Sequence, residues 1–202
     1  MTSWRTIVMA ASMLAAAPLL AAATVGQPAP ALVAADATGR TVRLADFAGR
    51  VVVVEWTNPA CPFVQKHYTS DNIPKLQADA KAAGVIWLTV NSSAPGTDGH
   101  LDGAGALASL RATGAAPAAY LLDADGSAGR AWGARTTPQV FIVDAKGIVV
   151  YAGAIDDLPS ADPADVGRAR NHVREALADL AAGRAVATPT SRPYGCSVRY
   201  QG

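Results

Sequence analysis

The sequence predicts an α/β domain: a central mixed β-sheet with helices on both faces. Three observations carry that expectation. Short β-branched or aliphatic runs without polar alternation recur at 51–54 (four valines), 85–90 and 140–143, the mark of strands buried on both faces. Segments with helical spacing lie between them. Turn signatures at both ends of the pattern point to flanking hairpins.

The elements follow in order. Residues 31–35 and 41–44 flank Asp36, Ala37, Thr38 and Gly39 and are expected to form a small hairpin. The valine strand comes next. Ile73, Leu76, Ala80 and Ala83 share one helical face that Gly84 closes, and Pro74 implies a new or kinked helix there with Asn72 as its N-cap. Strands at 85–90 and 118–122 bracket a helix over 102–112, and 92–105 reads as a loop near the sheet edge. Strand 140–143 should pair antiparallel with 148–151 through the turn at 144–147. A last helix over 163–182 carries Val173, Ala176, Leu177 and Leu180 on its apolar face and ends at Gly183. The tail, 185–202, reads as irregular.

The first 23 residues read as an export signal rather than as part of the fold. Arg5 supplies a positive start, and 7–20 is apolar but short of the 20 or so residues a bilayer span needs. Ala21, Ala22 and Ala23 then offer a small-residue cleavage site. The expected organisation is a signal peptide at 1–23, one domain at 24–184 and a tail at 185–202. The destination is periplasmic or secreted, with no stable membrane insertion after cleavage. Losing Arg5 from a chain of net charge +1 leaves the mature protein formally neutral. That balance argues against a nucleic-acid partner. A chain that is 50% hydrophobic is long enough to bury a substantial core.

Chemistry concentrates at 55–63, Glu55-Trp56-Thr57-Asn58-Pro59-Ala60-Cys61-Pro62-Phe63. The segment leaves the valine strand, turns at Pro59 and should enter a helix just after Cys61, with Pro62 in the first helical position. A cysteine there meets unpaired N–H groups and the positive end of the helix dipole, and both favour thiolate, the nucleophilic form. A buried, inert cysteine is the alternative. A second feature is Arg135-Thr136-Thr137-Pro138, directly before a buried strand. Proline cannot donate to a sheet ladder, so Pro138 reads either as cis or as an ordinary trans strand cap.

These residues resemble the thioredoxin-like superfamily and, within it, a peroxiredoxin-like subgroup of the redoxin (alkyl hydroperoxide reductase/thiol-specific antioxidant) proteins. The resemblance rests on 55–68 (EWTNPACPFVQKHY), 135–147 (RTTPQVFIVDAKG), 151–157 (YAGAIDD) and 193–200 (PYGCSVRY), and it spans about 25–200. It implies a thioredoxin-like fold, a redox-active thiol at Cys61 and a cis proline at Pro138. It also implies oxidoreductase activity, with a thiol or disulfide protein or a peroxide as partner and a thiol electron donor. The departures matter. Val64 stands where a Cys-x-x-Cys motif has its second cysteine. Asn58 stands where a peroxiredoxin has a threonine, with Thr57 one position earlier, and Arg135 is displaced from the strand that brings an arginine to peroxide.

Cys196 is the second cysteine, 135 residues away. It can resolve an oxidised Cys61, staple the chain permanently to Cys61, or pair between chains. Glu55 lies six residues before Cys61, where thioredoxins keep a buried acid that accepts the thiol proton; a solvated strand-end glutamate is the other reading. His67 reads as a surface or packing residue, and Trp56, Trp87 and Trp132 as core or site wall. No phosphate loop or metal-ligand spacing stands out, so no cofactor is expected. The competing functions are an exported thiol oxidoreductase, a non-catalytic binding module with a structural disulfide, and a metallochaperone.

Overall fold

A computed structural model of the chain describes residues 22–201. Most of the segment on which the export reading rests lies outside them. Among the described residues, a seven-stranded sheet is formed by β1 (Val33–Asp36), β2 (Thr41–Arg43), β3 (Val52–Trp56), β4 (Ile86–Asn91), β5 (Ala119–Leu122), β7 (Gln139–Val143) and β8 (Val149–Gly153). Its order is β2-β1-β5-β4-β3-β7-β8. The β3, β4 and β5 strands are parallel, and β1, β7 and β8 join antiparallel. A separate two-stranded ribbon pairs β6 (Thr136–Thr137) with β9 (Cys196–Ser197). The helices are α1 (Pro62–Thr69), α2 (Asn72–Ala82), α3 (Gly103–Thr113), α4 (Ser127–Trp132) and α5 (His172–Ala181).

The valine run forms the centre of the sheet because both faces of β3 are covered. Val52, Val54 and Trp56 point to one side, where Trp132 of α4 and Phe141 of β7 complete an aromatic cluster with ring centroids 5.3–5.5 Å apart. Val53 points to the other side, against Ile73, Leu76 and Ala80 of α2 and Val173 and Ala176 of α5. By the two-residue period of a strand, Glu55 shares the Val53 face. It is therefore carried into the core by the same pattern that buries the valines.

Four local expectations need correction. The helix expected over 163–182 is two elements: Asp162 caps a short 3-10 helix, Pro163–Gly167, and Asn171 separately caps α5 by accepting from the N–H of Arg174 (2.9 Å). Asn72 does not cap α2. Asp71 precedes it in the left-handed region (φ 60°), and the Asn72 side chain turns instead to His67 and Asn171. The loop at 92–102 leaves β4, a central strand, so it lies beside the turn that bears Cys61 rather than at the sheet edge. The short helix α4 was not expected, because Gly126, Gly129 and Gly133 disguise it as loop. Among the described residues, no helix is long and apolar enough to cross a membrane.

Candidate active site

Cys61 is the N-cap of α1, with Pro62 in the first helical position as expected. Its carbonyl accepts from the N–H groups of Val64 (3.0 Å) and Gln65 (2.9 Å), which fixes the cysteine at the helix start. Asn58 shapes the turn before it. Its Oδ1 accepts from the Ala60 N–H (2.8 Å), and its Nδ2 donates to the Asp98 carbonyl (3.0 Å). The residue that replaces the threonine of a peroxiredoxin site is thus spent on the turn and on the 92–102 loop. Gly99 makes this possible: a Cβ there would lie 1.8 Å from Asn58 Oδ1.

The Thr137–Pro138 peptide is cis. Thr137 presents its carbonyl oxygen 3.1 Å from the Cys61 sulfur. On the other side of Thr137 stands Cys196, its register partner in the β6–β9 pair. The two cysteines are free, and their sulfurs are 2.7 Å apart. Cys61 is 2% exposed, whereas Cys196 is partly exposed. Burial first, then the neighbouring Cys61, pushes the Cys196 thiol up to about 11, so near neutral pH Cys196 keeps its proton.

The tail that carries Cys196 is irregular apart from β9, as expected, and it is anchored on both sides of that strand. Upstream, Tyr194 reaches a buried polar cluster on α1. Downstream, Tyr200 donates to the Ala134 carbonyl (2.7 Å) and lies under the guanidinium of Arg130, 4.6 Å from the ring centroid. Main-chain bonds from Val198 to Arg135 (3.0 Å) and from Ala94 to Arg199 (2.8 Å) hold the strand between them.

Glu55 is fully buried, which excludes the solvated alternative. Its carboxylate accepts from the Trp87 indole (2.9 Å), the Tyr68 hydroxyl (2.9 Å) and the Thr89 hydroxyl (3.3 Å). Burial outweighs these bonds and raises its pKa to about 7. Its link to the cysteine runs through α1, which carries both Tyr68 and, at its start, Cys61. Thr57 is buried beside Tyr68, in the wall of a 260 Å³ cavity that also includes Pro59 and Tyr120. Arg135 does not converge on the site: its side chain is exposed, and only its backbone is engaged, by Gln139 and Val198.

Sequence reasoning missed Lys66, Asp156 and Tyr194. Lys66 is fully buried and paired with Asp156 at 2.9 Å, and Tyr194 bonds to both. His67, expected as a surface or packing residue, is buried beside them, and desolvation lowers its pKa to about 4. The only sequence signal was indirect: Asp156 and Tyr194 lie within the 151–157 and 193–200 stretches that carry the resemblance.

Comparison with known proteins identifies the fold and the family. A hypothetical protein from Sinorhizobium meliloti superposes with a TM-score of 0.76 at 26% identity, covering 90% of this chain and 97% of that one. An uncharacterized conserved protein from Geobacillus kaustophilus gives 0.75 at 25% identity, covering 88% and 93%. The thioredoxin domain of a thiol-disulfide oxidoreductase from Bacteroides vulgatus gives 0.53 at 20% identity, covering 72% and 96%, a likeness of fold alone. A search of curated proteins gives no match. The fold is thioredoxin-like, a mixed sheet flanked by helices. The Redoxin family model matches residues 24–169, which include Cys61, Glu55 and Pro138, and the chain therefore belongs to the Redoxin family.

Proposed function

We propose that this protein is an exported thiol:disulfide oxidoreductase in which Cys61 attacks and Cys196 resolves. The observation that carries the reading is the 2.7 Å approach of the two free sulfurs beside the Thr137–Pro138 turn. Cys61 thiolate attacks one sulfur of a substrate disulfide, forming a mixed disulfide and releasing the other sulfur as thiolate. Cys196, giving up its proton, then attacks the Cys61 sulfur, forms the Cys61–Cys196 disulfide and releases the second substrate thiol. A thiol electron donor regenerates the pair. Cys196 keeps its proton near neutrality, which supports the division of roles. Glu55 bonds to Tyr68, Trp87 and Thr89 rather than to either cysteine, so it is assigned a positioning role. It holds Tyr68 and with it α1, the helix that Cys61 caps, and the proton transfer expected of it has no direct path.

Peroxide is a poorer fit than a disulfide. The hydroxyl expected three residues before the cysteine is replaced by Asn58, whose amide is already bonded, and Arg135 faces solvent. A second reading has one observation in its favour: both sides of the Cys196 strand are anchored, as a permanent structural staple would be.

The test is thiol counting with mass mapping. Reduced protein treated with stoichiometric glutathione disulfide should lose two thiols and gain an intramolecular Cys61–Cys196 link. The Cys196→Ser variant should stop at glutathione bound to Cys61. A wild-type protein that retains both thiols, or carries glutathione on Cys196 alone, would overturn the reading.

A further inference from the structure

The cluster that anchors Tyr194 is an expensive thing to build. Lys66 and Asp156 are 0% and 2% exposed, and taking such a pair out of water costs several kcal/mol per ion unless every donor and acceptor is matched. Lys66 has three N–H donors, and three acceptors meet them: Asp156 Oδ2 at 2.9 Å, the Leu158 carbonyl at 2.8 Å and the Tyr194 hydroxyl at 3.2 Å. The Tyr194 hydroxyl in turn donates to Asp156 Oδ1. Its ring stands edge-on to Phe63, with centroids 5.8 Å apart. Without Tyr194 the buried pair would be one partner short. The cluster therefore favours a docked tail specifically, beyond general packing.

Its placement gives that preference a consequence. Lys66 and Phe63 lie on α1, the helix that Cys61 caps, and Tyr194 lies two residues before Cys196. The same contact thus ties the helix of one cysteine to the strand of the other.

We propose that Tyr194 is a positioning residue whose hydroxyl, bound to the Lys66–Asp156 pair, holds the Cys196 sulfur against Cys61 in the reduced protein. This rests on the reading of Cys61 and Cys196 as a redox pair. With the latch closed, the conformational cost of ordering the tail is already met before the disulfide forms. With it open, that cost falls on the disulfide.

Wild type, Tyr194→Phe and Tyr200→Phe are to be equilibrated against glutathione and glutathione disulfide. In that exchange the pair passes two electrons and two protons to glutathione disulfide, giving two glutathione molecules. Tyr194→Phe keeps the ring on Phe63 and removes only the hydroxyl. It should weaken the intramolecular disulfide by about tenfold, a potential about 30 mV more positive. It should also slow, by a similar factor, the attack of Cys196 on a Cys61–glutathione mixed disulfide. Tyr200→Phe, which removes the hydroxyl of the other anchor, should have a clearly smaller effect. A lower Tm for Tyr194→Phe with the equilibrium unchanged would mark Tyr194 as structural only and overturn the proposal, as would an equal shift from Tyr200→Phe. A wild-type protein that forms no Cys61–Cys196 disulfide at any poise would instead remove the redox-pair reading, and the latch with it.

Discussion

Cys196 stands opposite Thr137 in the β6–β9 pair, and the carbonyl of that same threonine contacts the Cys61 sulfur. One residue therefore sets the position of both thiols. The approach is close enough that Gly195 has no room for a side chain: a Cβ there would lie 2.1 Å from the Thr137 oxygen, at a φ of +128° that other residues rarely adopt. Gly195→Ala should push β9 off β6. The expected outcome is a Cys61–Cys196 disulfide that forms about tenfold more slowly, while Tm moves by no more than about 4 °C because only a two-residue strand is lost. Stopped-flow measurement of Trp fluorescence or rapid alkylation, beside a thermal melt, checks both.

The turn before Cys61 should be equally sensitive. Asn58→Ala removes the bonds to Ala60 and Asp98 and should cost about 2 kcal/mol in urea unfolding, at about 1 kcal/mol for each hydrogen bond. Gly99→Ala should reproduce the effect with Asn58 itself unsubstituted, since the new methyl would displace the Asn58 side chain. Stability near wild type in both variants would mean that the 92–102 loop does not support the site.

Glu55 and His67 have opposite effects on stability as pH changes. Glu55 has a folded pKa of about 7, above its ordinary 4.5, so between those values the folded protein binds more protons than the unfolded chain. Its contribution is full below about pH 4.5 and is lost as pH rises toward 7. His67 has a folded pKa of about 4, below its ordinary 6.5, so its contribution is present above about 6.5 and is lost as pH falls toward 4. Over pH 4.5–6.5 the two slopes oppose each other. Glu55→Gln should remove one of them. The variant should gain stability at pH 8, by on the order of 3 kcal/mol for a fully buried carboxylate, and should become steadily less stable as pH falls from 6.5 to 4.5. Urea unfolding at pH 4.5, 6.5 and 8 measures both effects. A pH profile parallel to wild type would reject a raised Glu55 pKa.

The legible parts of this protein were those written in local pattern. Four consecutive valines announce a strand covered on both faces, Cys61-Pro62 announces a helix start, and Thr137-Pro138 before a buried strand raises the cis bond as an option. Glu55 sits in the same strand pattern, but alternation alone could not say whether its end of the strand was covered; Trp87, Thr89 and Tyr68, which cover it, come from other elements. The least legible part was the cluster around Lys66. A lysine on an eight-residue helix reads as solvated, and its partners Asp156 and Tyr194 lie 90 and 128 residues away, beyond the reach of any periodicity. The tail is irregular apart from β9, as expected, but its anchoring was not legible for the same reason: Tyr194 and Tyr200 grip elements distant in sequence.

The measurement that tests the central claim most directly is the reduction potential of the Cys61–Cys196 pair, titrated against glutathione or dithiothreitol couples and read by alkylation and mass. A working redox pair should form one intramolecular disulfide with a potential above about −300 mV, the approximate ceiling for structural disulfides, and should be reduced by a thioredoxin-type dithiol donor. A potential well below that value, with no turnover of a disulfide substrate, would contradict the account and leave Cys196 as a structural staple.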